Sequence, residues 1–311
     1  MKKINVLIFH ELPFNVESNF DESFNIFHDG DNFKREEIDA LIPLLSDRVD
    51  KNLIDSFPNL KIIANVGVGY NNIDYEYAYS KGIIVTNTPG VLTESTADLT
   101  FALILAVSRR ILEADRFLRD GKFKGWDLTL FLGKELNQSI LGIIGMGRIG
   151  QAVAKRAKGF GMKILYHNRN RVSEDIEREL SAKYVSFEEL ISRSDIISLH
   201  CPLTQETFHL IDKEEFQMMK DGVIIINTAR GPVINEKELV NFLKSGKVMG
   251  SGLDVFEREP EVEEELLHMK NVVLLPHIGS ATYYTRTKIV SLAVNNVIEY
   301  FKRGKPLTPI K

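Results

Sequence analysis

Short runs in which nearly every residue is apolar alternate along this chain with stretches that are apolar every third or fourth residue. Val6 to Phe9, Ile62 to Val66 and Ile83 to Thr86 are runs of the first kind, as expected of parallel strands covered on both faces. Between them the pattern predicts helices near Asn52 to Phe57 and Asp74 to Lys81. The segment from Asp21 to Ile42 carries neither period clearly and is left unassigned. From Thr93 a polar cluster leads into Leu99, Leu103, Ala106 and Val107, one face of a long helix with Ser95 or Thr96 as its cap. Arg116 to Lys134 is charged and aromatic, contains three glycines, and reads as an extended arm. Six further strands follow: Ile140 to Ile144, Lys163 to His167, Ile196 to His200, Val223 to Asn227, Gly250 to Val255 and Val272 to Leu275. A last helix, Thr282 to Phe301, sets Ile289, Leu292, Ala293, Val297 and Tyr300 along one stripe. Such alternation predicts an α/β doubly wound sheet with its ligand crevice beyond the strand C-termini.

Composition narrows the partners. A length of 311 residues points to about two domains, and 44% hydrophobic with 26% charged residues is ordinary for a globular protein. A formal charge of -4 gives no reason to expect nucleic acid or an anionic membrane, so an anionic substrate needs local cations. Cys201 is the single cysteine and cannot form an intramolecular disulfide, which suits a reducing compartment. His10 and Glu11 interrupt the apolar start, and Phe101 to Val107 is far short of the roughly 20 residues that span a bilayer. The expected location is the cytoplasm. No metal-ligand set is assigned.

The glycines Gly145, Gly147 and Gly150 follow one strand and open an amphipathic stretch that runs to Phe160. Gly145 suits a tight turn, Gly147 lets backbone approach a pyrophosphate, and Gly150 allows close helix–sheet packing. The N–H groups at the helix start then face the phosphates. A tight turn without ligand is the plainer alternative. At the end of the next strand, Asn168-Arg169-Asn170-Arg171 offers no acid for a ribose 2′-hydroxyl. Arg169, with Arg171 as a second candidate, would hold a 2′-phosphate, and NADP is preferred over NAD. Otherwise both arginines are solvated turn residues.

Three polar residues at strand ends complete a possible reaction centre. Arg230 follows an apolar strand and is suited to grip a carboxylate and polarise a ketone, although a surface ion pair would explain it equally well. His277 follows another strand and has a proton to exchange near neutral pH, though most histidines are structural. Glu259 would favour the imidazolium and fix its orientation, unless it is simply one more acid among Glu257, Glu261, Glu263, Glu264 and Glu265. Together they suit hydride transfer to a 2-oxo acid.

Four motifs carry a family resemblance: Gly-Met-Gly-Arg-Ile-Gly, Asn-Thr-Ala-Arg-Gly-Pro-Val-Ile, Gly-Leu-Asp-Val-Phe-Glu-Arg-Glu-Pro and Leu-Pro-His-Ile-Gly-Ser-Ala-Thr. In that order they resemble the D-isomer-specific 2-hydroxyacid dehydrogenases over nearly the whole chain. The glyoxylate/hydroxypyruvate reductase branch is the most similar, through Pro-His-Ile-Gly-Ser-Ala-Thr and Tyr-His-Asn-Arg. The resemblance implies two doubly wound parallel-sheet domains with the active-site cleft between them. One is a discontinuous, flavodoxin-like substrate domain (1–95 with 283–311), and the other a Rossmann cofactor domain (96–282). It implies Arg230 as substrate anchor, His277 as general acid and Glu259 as its partner, with Val66, Gly67 and Val68 offering backbone N–H groups to the substrate. Thr96, Arg148, Ile149, Asn168, Arg169, Cys201, Pro202, Thr207, Thr228, Ala229, Asp254 and Gly279 join the glycines as implied cofactor contacts. A homodimer is implied, with 111–135 and Trp126 as the joining arm, unless Trp126 merely packs on its own domain.

The leading expectation is an NAD(P)H-dependent reductase of glyoxylate or hydroxypyruvate that yields the D-hydroxy acid. A 2-ketogluconate reductase or another broad D-2-hydroxyacid dehydrogenase is the alternative enzyme. Phosphoglycerate dehydrogenase is disfavoured because the chain ends soon after its last helix, and formate dehydrogenase because it pairs its histidine with glutamine. A dinucleotide-sensing co-repressor scaffold is the alternative of another class, disfavoured by the complete Arg230, Glu259 and His277 set.

Overall fold

The computed structural model describes residues 3–310 and divides into two compact units. One holds the residues up to Leu92 together with those from Ala281 onward, and the other holds Thr93–Ser280.

In the first unit β1 (Ile4–Ile8), β2 (Phe24–His28), β3 (Ala40–Ile42), β4 (Ile62–Ala64) and β5 (Ile84–Thr86) form a parallel sheet. Two short helices, α1 (Lys51–Asp55) and α2 (Tyr75–Ser80), connect its later strands. Asp50 and Asp74 cap them by accepting N–H bonds from Leu53 and Tyr77. The strand order β2-β1-β3-β4-β5 is the flavodoxin-like one. Successive residues of β1 enter opposite cores: Val6 and Ile8 lie with Val290, Ala293 and Val297 of the C-terminal helix Tyr283–Arg303, and Leu7 lies with Ile38 and Ile54. That double burial explains the unbroken apolar runs. The unassigned segment 21–42 holds β2 and β3. β2 is an edge strand with four of its five residues only partly buried, and β3 is three residues long, so neither shows a period.

The second unit opens with α3 (Thr93–Ser108) and α4 (Ile111–Arg119) and then winds a seven-stranded parallel sheet. Its strands and helices run β6 (Ile140–Ile144), α5 (Arg148–Gly159), β7 (Lys163–His167), α6 (Glu174–Leu180), β8 (Ala182–Tyr184), α7 (Phe187–Arg193) and β9 (Ile196–Leu199). Then come α8 (Lys213–Met218), β10 (Val223–Asn227), α9 (Glu236–Lys244), β11 (Val248–Leu253), α10 (Glu264–His268) and β12 (Val272–Leu274). The order β12-β11-β10-β9-β6-β7-β8 reverses direction between β6 and β9, the switch point where α/β sheets take their ligands. Along β10, Val223 and Ile225 enter one core while Ile224 and Ile226 enter the other.

Three expectations are corrected here. The sheet has seven strands rather than six, because β8, with the sequence Ala-Lys-Tyr at an edge, is too short and too exposed to show. Helix α3 begins at Thr93, so Ser95 and Thr96 lie inside its first turn and do not cap it. The arm is not extended throughout: α4 covers 111–119, where Arg119 pairs with Asp115 one turn back, and Phe117 meets Phe131 edge-on at 5.3 Å.

Candidate active site

The turn after β6 has the form its glycines demand. Gly145 holds φ at +100°, which side chains rarely adopt, and a Cβ there would meet the backbone of Cys201 at 2.5 Å. A Cβ on Gly150 would stand 2.2 Å from the Gly145 carbonyl, so α5 seats against the turn only with glycine. Gly147 is different. A Cβ there would touch nothing within 4 Å, so its backbone faces open space at the start of α5. No acid occupies the first turn of α5, which leaves its positive end available to phosphate. These residues fit a dinucleotide pyrophosphate. Asn168, at the end of β7, accepts a 2.6 Å bond from the Met146 N–H and so fixes the turn from the neighbouring strand.

The two arginines after β7 differ. Arg171 is committed to Glu177 through two hydrogen bonds, of 2.8 and 2.6 Å. Glu177 also accepts from Tyr166. The bonds from Arg171 and Tyr166 hold the Glu177 carboxyl down to about 2. The expectation that Arg171 could help hold a phosphate is thereby corrected: its fork is filled. Arg169 is exposed and pairs with no carboxylate among the described residues.

Beyond β10, Asn227 shapes the turn that presents Arg230. Its side chain accepts from the Ala229 N–H at 3.0 Å and donates to the Arg230 carbonyl at 2.9 Å, and the residue is almost fully buried. Arg230 is half-buried, and no carboxylate pairs with it among the described residues. Burial lowers its pKa, while the Glu259 charge works the other way. One of its nitrogens, Nη1, donates to the Ala229 carbonyl at 2.6 Å, and a desolvated guanidinium with no carboxylate partner is suited to hold an anion.

Glu259 and His277 come from neighbouring strand ends and meet at 2.9 Å, Oε2 to Nδ1. A carboxylate only accepts, so Nδ1–H donates and Nε2 is left to exchange a proton. Burial works against the charge on Glu259. The hydrogen bond and charge of His277, the Phe256 N–H at 3.0 Å and Arg230 more than offset it, and the carboxyl rests below its usual range. The pair is about one-third exposed, within reach of a small solute.

Asp254 sets the aim of His277. Its two oxygens accept from the N–H groups of Ile278 and Gly279 at 2.7 and 2.8 Å, bracketing the turn in which His277 adopts φ +53°. Burial raises the pKa of Asp254, and those two bonds oppose the rise. Thr96 donates to the Gly279 carbonyl at 3.2 Å, and Thr228 bonds Thr100 of the same helix at 3.0 Å, so the start of α3 is tied to both catalytic loops. Sequence reasoning missed Asn227 as the shaper of the Arg230 turn; its place one residue before Thr228 was the available signal.

Past β9, Thr207 accepts from the Thr204 N–H and donates to the Pro202 carbonyl, which closes a tight loop after Cys201. Burial pushes the Cys201 thiol up to about 11. In the first unit, the carbonyls of Gly67, Val68 and Gly69 accept from Thr88 N–H, Asn87 Nδ2 and Asn65 Nδ2 at 2.9, 2.8 and 2.7 Å. The N–H groups of Val66 and Gly67 donate to the Pro43 and Asn65 carbonyls, both at 3.0 Å, so the expectation that these two offer their N–H groups to the substrate is corrected.

Residues 101–279 match the NAD binding domain of the D-isomer specific 2-hydroxyacid dehydrogenases. A glyoxylate reductase of Thermococcus litoralis is 55% identical over 277 residues, 88% of this chain and 83% of that protein. Among solved structures, a glyoxylate reductase from Paecilomyes thermophila superposes with a TM-score of 0.91 at 35% identity, covering 100% of this chain and 99% of the other. An NADPH-dependent glyoxylate/hydroxypyruvate reductase from Sinorhizobium meliloti, bound to NADP and malonate, gives a TM-score of 0.90 at 32% identity, covering 99% and 97%. The chain therefore belongs to the D-isomer specific 2-hydroxyacid dehydrogenase family, on the branch of the glyoxylate reductases, and is an NAD(P)-dependent oxidoreductase that reduces a 2-oxo acid.

Proposed function

We propose that this protein reduces glyoxylate to glycolate and hydroxypyruvate to the D-hydroxy acid, with a preference for NADPH. The observation that carries this reading is the half-buried Arg230, with no carboxylate partner among the described residues, in the same unit as the Glu259–His277 pair. Arg230 grips the substrate carboxylate with its planar fork and draws electron density from the adjacent ketone. The reduced nicotinamide, when bound, supplies the hydride to the keto carbon. His277 delivers its Nε2 proton to the carbonyl oxygen, and Glu259 stabilises the imidazolium beforehand.

Gly145, Gly147, Arg148, Ile149 and Gly150 take the pyrophosphate. Arg169, with Asn168 where an NAD site would carry an acid, takes the 2′-phosphate. Thr96, Cys201, Pro202, Thr207, Thr228, Ala229, Asp254 and Gly279 complete the cofactor side. The names of the relatives support the substrate, and NADP in the Sinorhizobium meliloti structure supports the cofactor. We further read the protein as a cytoplasmic homodimer joined through 111–135, where Trp126 is 82% exposed and Leu118, Leu128 and Leu132 are exposed with it.

A panel of 2-oxo acids assayed with NADPH and with NADH, following the absorbance of the reduced nicotinamide, tests the reading. Glyoxylate and hydroxypyruvate should give the highest kcat/KM, with NADPH favoured at least about tenfold. A bulkier acid in first place, such as 2-ketogluconate, would replace the substrate, and a preference for NADH would remove the role of Arg169.

A further inference from the structure

The loops after β9, β10 and β11 carry Thr207, Arg230 and Glu259 in turn, and one cluster of side chains ties all three together. Glu236, the first residue of α9, is 4% exposed. Its Oε1 accepts from the Glu257 N–H at 2.7 Å, while its own N–H donates to Glu257 Oε2 at 3.3 Å. The other oxygen of Glu257 accepts from His209 Nε2 at 3.0 Å. The His209 N–H donates in turn to the Pro232 carbonyl at 2.8 Å. Glu257 lies two residues before Glu259, and Glu236 six after Arg230. The two loops run so close that a Cβ on Gly231 would stand 1.9 Å from the Phe256 carbonyl.

A buried acid is an expensive way to start a helix. Asn235 already caps α9 by accepting from Glu238, so Glu236 is not needed as the cap. What Glu236 does is bond the loop that ends in Glu259. We propose that Glu236, Glu257 and His209 form a positioning network that holds Arg230 and Glu259 in register, setting turnover without touching substrate or cofactor. The proposal rests on the roles given above to Arg230 and Glu259.

The charges around Glu236 bear on its test. Burial pushes its carboxyl up to about 7, against the hydrogen bond from the Glu257 N–H; the charges of Glu257 and Glu263 add to the rise, Arg258 opposes it, and His209 faces Glu257 from the third loop. Above that pH a second anion forms beside Glu257 and should loosen the network.

The test is to measure kcat and KM for glyoxylate at saturating reduced cofactor from about pH 6 to 9, with cofactor affinity read separately by nicotinamide fluorescence. Glu236→Ala and Glu257→Ala should lower kcat by about tenfold or more, with cofactor affinity within about twofold of wild type. Glu236→Gln still accepts from the Glu257 N–H. It should keep most of kcat and show a smaller decline above about pH 7 than the wild type, the remainder belonging to the general acid. Folded alanine variants with unchanged kcat, or a glutamine variant as poor as alanine, would overturn the proposal. Should the alanine variants fail to fold, His209→Asn carries the test: a severalfold fall in kcat supports the network, and no change overturns it. Wild-type protein inert toward every 2-oxo acid would strike instead at the assigned function, and full activity in Arg230→Ala at the assigned roles.

Discussion

In the proposed mechanism His277 stands at the centre of the chemistry, and two separate features aim it. Glu259 orients the ring, and Asp254 holds the following backbone so that φ is +53°. Replacing His277 by Ala should lower kcat by roughly a hundredfold to ten-thousandfold while cofactor affinity changes little. Glycine tolerates the same φ without strain. In His277→Gly, free imidazole added to the assay should therefore restore part of the turnover, and absence of any rescue across pH 6 to 8 would argue that His277 shapes the site instead of supplying the proton. Arg169→Ala should weaken NADPH by roughly tenfold to a hundredfold and leave NADH nearly unchanged, as expected for loss of a charge-assisted phosphate contact. Equal losses for both cofactors in fluorescence titration would reject that contact.

At the scale of elements, the reciprocal bonds between α9 and the loop after β11 join two catalytic loops through a pair of acids. The folded state holds Glu236 at about 7 against an ordinary 4.5. A raised carboxyl contributes stability that is complete below the ordinary value and is lost as pH rises through the raised one. The difference amounts to about 3 kcal/mol. Urea midpoints measured at pH 5 and pH 8 should fall with pH in the wild type and fall less in Glu236→Gln; parallel curves would exclude Glu236 as the cause. This cluster was not legible in the sequence. Glu257 reads as one acid among many and Glu236 carries no local signal, and only the fold brings a helix start against a loop 21 residues away. The glycine turn was legible, because Gly145 and Gly150 answer to local backbone demands that the strand–turn–helix order already implies. β8 was not, since a three-residue edge strand has no room to show a period.

For the whole molecule, neither the order of the strands nor their full number was accessible. Parallel sheets announce themselves as apolar runs, but nothing local distinguishes β2-β1-β3-β4-β5 from another order. The resemblance of four motifs supplied what periodicity did not. Those motifs, apart from the closing Ala281 and Thr282 of the last, fall with Arg230, Glu259, His277 and the dinucleotide turn within the single uninterrupted unit Thr93–Ser280, whereas the Val66–Gly69 loop belongs to the flanking segments. On the roles proposed above, every nucleotide contact lies on that one stretch of polypeptide. A chimera that keeps 93–280 and takes its flanks from a relative with a larger 2-oxo acid should inherit the donor's substrate and this protein's nucleotide. Should the nucleotide travel with the flanks, the division of labour would lie elsewhere.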